Sequence, residues 1–338
     1  MKNLILLDAD LRAFDAAAPD PNTQTTGAAA LSPENKTFWD RALIVLAGPE
    51  LVHDQFAQQR DIPAGNGKTI EFRQFDPLPE ITAPLSEGVT PDGQSLSVSA
   101  ATATVAQYGG YVTTSDVLDM TALDPVVNEA TRLIARQAGE TLDTITRDVI
   151  NAGTNVLYAK GTASARPTSR TGVGYTSATN NNNLTVEDIK LAVRTLKRQN
   201  APKIRGDYVA IIHPDVAFDL MRDPEWLSPK QYVDTADLYA GEIGKLYGVR
   251  FVENTRAMIF RGAGAGGADV YSTLVIGDDA YGTTKVAGGG LQHIVKPLGS
   301  GGTSDPLDQR STVGWKALKA AKILVQQYMI RIESSATP

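Results

Sequence analysis

Asp124-Pro-Val-Val-Asn-Glu-Ala-Thr-Arg-Leu-Ile-Ala-Arg-Gln-Ala-Gly-Glu-Thr-Leu-Asp-Thr-Ile-Thr-Arg-Asp-Val-Ile-Asn-Ala-Gly153 opens with the strongest helix start in the chain. Asp124 is an N-cap residue, and Pro125 stands at the first helical position, where its missing N–H has no bond to lose. Val126, Ala130, Leu133 with Ile134, Ala138, Leu142, Ile145 and Val149 recur at spacings of three and four, which makes one apolar stripe. Gly153 is a natural stop. At about 1.5 Å per residue a helix over 124–152 runs roughly 40 Å, long for a globular domain. Gly139 in its middle costs about 1 kcal/mol relative to Ala.

Upstream the period changes to two. Lys68-Thr-Ile-Glu-Phe-Arg-Gln-Phe75 alternates inward Ile70, Phe72 and Gln74 with polar partners, as a strand does. Residues 76–94 carry Pro77, Pro79, Pro84, Pro91, Gly88 and Gly93 and form a turn-rich excursion. A second β stretch, rich in Val, Thr and Tyr, returns over 95–114. The whole of 60–115 reads as one long hairpin, and an isolated two-stranded ribbon is marginal in water. It needs a partner surface. Residues 1–50, with a Pro- and Thr-bearing stretch and an apolar patch at Phe38, Trp39, Leu43, Ile44 and Val45, read as an extended arm with a short helix.

Downstream, 154–183 is rich in Gly, Ser, Thr and Asn and reads as a surface loop or loose hairpin. Thr185 and Asp188 approximate a capping box for a helix over 185–200, with Leu184 stapled to Ile189 and Ala201-Pro202 ending it. Tyr208–Ile212 reads as a strand, Asp215–Arg222 as a helix, and Thr235–Leu246 as a helix stopped at Gly248. Val249–Val252, Tyr271–Ile276, Leu291–Val295, Val313–Ile323 and Leu324–Ile332 follow as apolar segments, with a turn over Gly299–Asp305. The order describes an α+β lobe without repeats.

Composition narrows the function. The chain of 338 residues exceeds the length at which one core stops growing, so two or more lobes are expected. No apolar run reaches the roughly eighteen residues of a membrane span, and Leu4–Leu7 is too short for a signal-peptide core. The absence of cysteine excludes disulfides and thiol chemistry and suits a soluble protein made in a reducing cytoplasm. A net charge of −6 without a basic tail makes a poor direct binder of nucleic acid, yet suits a container that must not grip its DNA.

Catalytic motifs fail on context. Gly262-Ala-Gly-Ala-Gly-Gly267 satisfies the dinucleotide fingerprint literally, but a strand-like stretch follows where the fingerprint needs a helix. Gly67-Lys68-Thr69 imitates the end of a P-loop with Ile62 in place of the first glycine. His53, His213 and His293 stand apart without metal-ligand or triad spacing and read as structural histidines. No cofactor, metal site or enzyme activity is expected.

Charge is distributed unevenly. Between Arg73 and Arg132 there is no Lys or Arg, while Glu80, Glu87 and Asp92 lie in that stretch; residues 160–205 hold Arg166, Arg170, Lys190, Arg194 and Lys197 among nine basic residues against Glu187 and Asp188. Two solvated faces would produce this pattern, and so would complementary surfaces on neighbouring subunits.

The order of arm, long hairpin, long spine helix and mixed lobe resembles the Hong Kong 97-type capsid fold of tailed bacteriophages. Three segments carry a closer resemblance to the major capsid family typified by Escherichia phage N-four: Arg147-Asp-Val-Ile-Asn-Ala-Gly-Thr-Asn155, Gly241-Glu-Ile-Gly-Lys-Leu-Tyr-Gly-Val-Arg-Phe-Val-Glu253, and Lys296-Pro-Leu-Gly-Ser-Gly-Gly-Thr-Ser-Asp-Pro-Leu-Asp-Gln-Arg-Ser-Thr-Val-Gly-Trp-Lys316. The resemblance covers about 35–335. It implies an N-terminal arm over 1–59, an extended loop over 60–115, a peripheral domain over 116–205 containing the spine helix 124–152, an axial domain over 206–290 and a C-terminal return over 291–338.

The function so implied is a major capsid protein. Copies assemble as hexamers and pentamers into an icosahedral head around double-stranded DNA, without sequence-specific binding and without a membrane. Partners would be the chain itself and scaffolding, portal and decoration proteins, in a virion assembled in the bacterial cytoplasm. Some relatives carry a cleaved scaffolding domain before the hairpin; the region here is too short for one, which implies a separate scaffolding protein. Some shells of this fold cross-link a hairpin Lys to a neighbouring Asn, but Lys68, the only Lys in 60–115, lies at the hairpin base. An encapsulin-like nanocompartment shares the fold, and a nucleotide-binding enzyme using Gly262–Gly267 is the remote alternative.

Overall fold

A computed structural model of the chain describes residues 23–24, 52–63, 65–76, 78–84, 87–88, 90, 92–121, 126–226, 242–286, 289–301 and 305–338. The Asp124-Pro125 helix start, the patch from Phe38 to Val45 and nearly all of the expected arm lie outside these residues. The first elements are β1 (Thr23–Gln24), β2 (Gln58–Ile62), β3 (Thr69–Phe75), β4 (Val98–Thr104), β5 (Ala106–Ser115), α1 (Asp116–Thr121) and α2 (Val126–Asn151). Next come β6 (Val156–Tyr158), β7 (Tyr175–Ser177), β8 (Asn180–Asn181), α3 (Val186–Arg198), β9 (Tyr208–Ile212) and α4 (Pro214–Met221). The last are β10 (Glu242–Leu246), β11 (Val249–Glu253), β12 (Ile259–Phe260), β13 (Val270–Ile276), β14 (Tyr281–Val286), β15 (Gln292–Lys296), β16 (Arg310–Ile323) and β17 (Met329–Ser334). This is an α+β chain.

The chain divides into two units, one of residues 1–46, 108–138 and 291–317, the other of 47–107, 139–290 and 318–338. The larger unit is built on a sheet in the order β10-β11-β9-β13-β17-β6. Its central strand β9 is buried throughout, so the two faces sort its side chains by period two. Tyr208, Ala210 and Ile212 pack with Val186, Ile189, Ala192 and Leu196 of α3. Val209 and Ile211 pack on the other face with Ile150 of α2, Leu274, Ile276 and Tyr281, together with Val52 and Phe56 from the turn before β2. Each fully buried side chain of this size contributes roughly 1.5–3 kcal/mol. Residues from 116–205 and from 206–290 thus share one core.

The expected capping box of α3 is present, with Thr185 and Asp188 bonded reciprocally. The hairpin is shorter than 60–115. Only β3 and β4 pair with each other, from Thr69↔Thr104 to Phe75↔Val98. Phe72 is buried at the base with Ile62, Ala103, Val105 and Ala320, whereas Gln74, expected inward, is exposed. The second β stretch breaks at Val105, which is buried, and β5 belongs to another sheet. In the smaller unit β5 lies between β1 and β16, and β15 pairs with residues 312–316 of β16. Gly109 permits that approach, since a Cβ there would meet the Trp315 carbonyl at 2.7 Å.

Two further readings are corrected. Residues 242–246, expected at the end of a helix, form strand β10 paired antiparallel with β11. Tyr247 and Gly248 both hold left-handed backbone, at φ 51° and 78°, so the pair makes a two-residue hairpin turn. A glycine after a periodic run signals a helix end or a turn equally well, which is why the sequence misled here. In α2 the buried side chains include Ile134, Ala138, Asp143, Thr146 and Ile150, while Leu133 is 52% exposed and Leu142, Ile145 and Val149 are half-buried.

Candidate assembly surfaces

The hairpin carries its largest apolar side chains in solvent. Phe75, Leu78, Ile81, Leu96 and Val98 are all exposed, Ile81 by 74%. A run of exposed large apolar groups on one excursion marks a surface that is covered in the working state. The base of the connection is clipped: Ser97 Oγ and Ser99 Oγ donate to Asp76 at 2.7 and 2.8 Å, and these bonds hold its carboxyl below the usual value. Glu80, Glu87 and Asp92 lie exposed beyond that clip.

The five basic residues paired with them in the sequence reading divide into two groups. Arg166 lies 2.7 Å from the fully buried Asp188 and also donates to the Tyr158 carbonyl. Arg170 donates to the fully buried Glu333 at 2.6 and 2.8 Å, bonds that raise its already high pKa. Arg166 and Arg170 therefore serve the fold, pinning 158–172 to α3 and β17. The stretch expected to be a loose loop is held at both arginines. Lys190 pairs with Glu225 at the surface, and that hydrogen bond raises its pKa. Arg194 and Lys197 are exposed. With Lys190, Val193, Arg198 and Tyr247 they line an open groove of about 500 Å³. Tyr247, uncharged and outside any catalytic motif, does not stand out in the sequence. Its signal was the Tyr-Gly pair, which puts an aromatic ring at a turn tip where φ is positive.

The structure brings no acidic member of the set together with a basic one within the chain. It places the histidines apart: His53 in the core, His213 at the N-cap of α4 accepting from the Asp215 N–H at 3.2 Å, and His293 exposed on β15. The loop Gly262–Gly267 is a turn with Gly262, Gly266 and Gly267 in left-handed backbone, and it leads into strand β13. A dinucleotide site needs a helix N-terminus there.

The architecture recurs in solved phage shells. The capsid of the cyanophage P-SCSP1u matches with a TM-score of 0.65 at 17% identity, over 92% of this chain and 96% of that one. The capsid of Ralstonia phage GP4 matches with a TM-score of 0.69 at 15% identity, over 90% and 96%. The capsid of Helicobacter pylori bacteriophage KHP30 matches with a TM-score of 0.59 at 11% identity, over 94% and 99%. At these identities the likeness shows a shared fold, the Hong Kong 97 type. A search of curated protein sequences gave no match. The family model described as phage capsid protein matches residues 99–329, which span α2, α3, all of β16 and every strand of the large sheet except β17 beyond its first residue. Neither the compartment reading nor the nucleotide-enzyme reading is favoured. The family model covers well over half of the chain and the fold is that of solved phage shells, so the chain belongs to the phage capsid protein family and is a component of the phage head.

Proposed function

We propose that this capsid protein is the repeating subunit of an icosahedral head, assembled through hexamers and pentamers around double-stranded DNA. The observation that carries the reading is the hairpin. Its tip region exposes Phe75, Leu78, Ile81, Leu96 and Val98, and the chain itself offers nothing to cover them among the described residues. Residues 60–115 act as the extended loop and α2 as the spine. The acidic connection of the loop lies over a basic surface of the next copy, with Arg194 and Lys197 as the exposed members of that surface. Exposed pairs contribute only about 0–1 kcal/mol each. Repetition at every subunit makes such small terms count, and they set register more than affinity. Scaffolding, portal and decoration proteins complete the head, which is built in the bacterial cytoplasm. The net charge of −6 leaves the DNA loosely held.

Replacing residues 76–97 with a two-residue Asn-Gly turn tests the reading. The shortened chain is expected to fold, with the circular dichroism of the parent, and to remain unassembled. Closed shells formed at the parent's rate by the shortened chain contradict it.

A further inference from the structure

Beneath the turn over 52–57 lies a charged cluster with no part in the assembly surfaces. His53 is fully buried; its Nδ1 lies 2.7 Å from Asp143 Oδ2, and its backbone N–H donates to Asp143 Oδ1 at 2.9 Å. Asp54 accepts from Thr146 Oγ1 at 2.6 Å and from Lys319 Nζ, which also donates to the Leu142 carbonyl at 2.8 Å. Tyr281 donates its hydroxyl to the His53 carbonyl. The titratable groups facing Asp143 among the described residues are His53 and Asp54 from the turn, Lys319 from β16 and Tyr281 from β14. All belong to the larger unit.

Two features distinguish the cluster from ordinary core. The turn inserts Val52 and Phe56 into the apolar core, while His53, Asp54 and their partners hold it by charge and hydrogen bonds. His53 Nε2 is buried without a hydrogen-bond partner among the described residues, so the network is incompletely satisfied there. In a low-dielectric site such a network is strong while its charges last and weak once one is lost.

We propose that His53, Asp54, Asp143 and Lys319 form a releasable clasp, which fixes residues 52–57 to α2 and β16 and frees them when Asp143 is neutralised by acid. Burial alone would raise the Asp143 carboxyl, but hydrogen bonds from His53 and the charges of His53 and Lys319 outweigh it and hold the group below its ordinary value. A carboxyl lowered in the folded state contributes stability that is full above the unfolded value of about 4, and that stability is lost as pH falls through the folded value. The clasp is closed at neutral pH and opens in acid. The apolar contacts of β9 and β13 have no such dependence.

Hydrogen exchange on the full-length soluble subunit tests the clasp, independently of assembly. Protection of the 52–57 amides is followed against that of β9 and β13 from neutral pH to about pH 3, each corrected to the rate of an unstructured chain. The expected result is a selective loss at 52–57, roughly tenfold or more, with β9 and β13 unchanged. At neutral pH Asp143→Asn shows the same selective loss. Protection at 52–57 that persists until the sheet strands lose theirs overturns the proposal. Should Asp143→Asn fail to fold, the acid series on the unaltered chain decides the matter alone, and Asp54→Asn, at a site one-third exposed, supplies the second variant.

Discussion

Arg170 and Glu333, 163 residues apart, meet in a two-pronged ion pair with the carboxylate fully buried. The guanidinium also lies over the Phe260 ring, 3.5 Å from its centroid, and Arg331 supplies a second cation to Glu333 at 2.9 Å. The pair fastens the residue 170 turn to the C-terminal strand. Removing one partner leaves a buried charge undersatisfied, so Arg170→Ala should destabilise the subunit by roughly 2–4 kcal/mol, moderated by Arg331. Arg170→Lys keeps the charge and loses the fork, and should fall between. Urea unfolding of the soluble subunit measures both.

The spine helix separates buried positions from surface ones. Ile150 is fully buried and Leu133 is 52% exposed. Ile150→Ala should cost about 2–5 kcal/mol, whereas Leu133→Ala should stay within about 0.5 kcal/mol in the isolated subunit. Equal losses at the two sites would show that the helix is oriented otherwise.

Charge reversal tests loop docking. Glu80, Glu87 and Asp92 changed together to Lys should leave the subunit folded, because all three are exposed. Assembly followed by light scattering should slow, most at low salt, since screening acts beyond roughly 8–10 Å. Adding Arg194→Glu and Lys197→Glu should restore part of the rate. Arg166→Glu or Arg170→Glu should instead unfold the subunit, because their partners Asp188 and Glu333 are fully buried. Normal assembly of the triple reversal across a salt series would reduce these charges to solvated faces.

Covalent cross-linking should be absent from mature particles. Lys68 is exposed but sits before β3, far along the strand from the hairpin connection, and its carbonyl accepts from the Val105 N–H at the base. Boiled denaturing gels should show a single monomer band. A ladder of multimers lost in Lys68→Ala would contradict this.

Local chemistry was legible in the sequence, and contacts between distant segments were not. The capping box at Thr185 and Asp188 lies within one helical turn, and β9 announces itself by an unbroken apolar run. The pairing of Arg170 with Glu333 and of His53 with Asp143 joins residues 163 and 90 positions apart, and no spacing rule reaches that far. One distant contact did leave a local sign. In β16 the alternation that buries Val313, Trp315 and Ala317 also buries Lys319. An inward lysine in a strand demands a carboxylate partner, which Asp54 supplies. Of the proposed contact residues, exposure separates Arg194 and Lys197 from Arg166 and Arg170, and exposure depends on tertiary partners that charge counting does not see.

The central claim is that this chain closes into shells by contacting copies of itself. Negative-stain electron microscopy of the purified, concentrated protein, with scaffolding protein added if needed, tests it most directly. Closed icosahedral particles of uniform diameter, with hexameric and pentameric clusters on their surface, are expected. A monodisperse population of small oligomers under every assembly condition would contradict it.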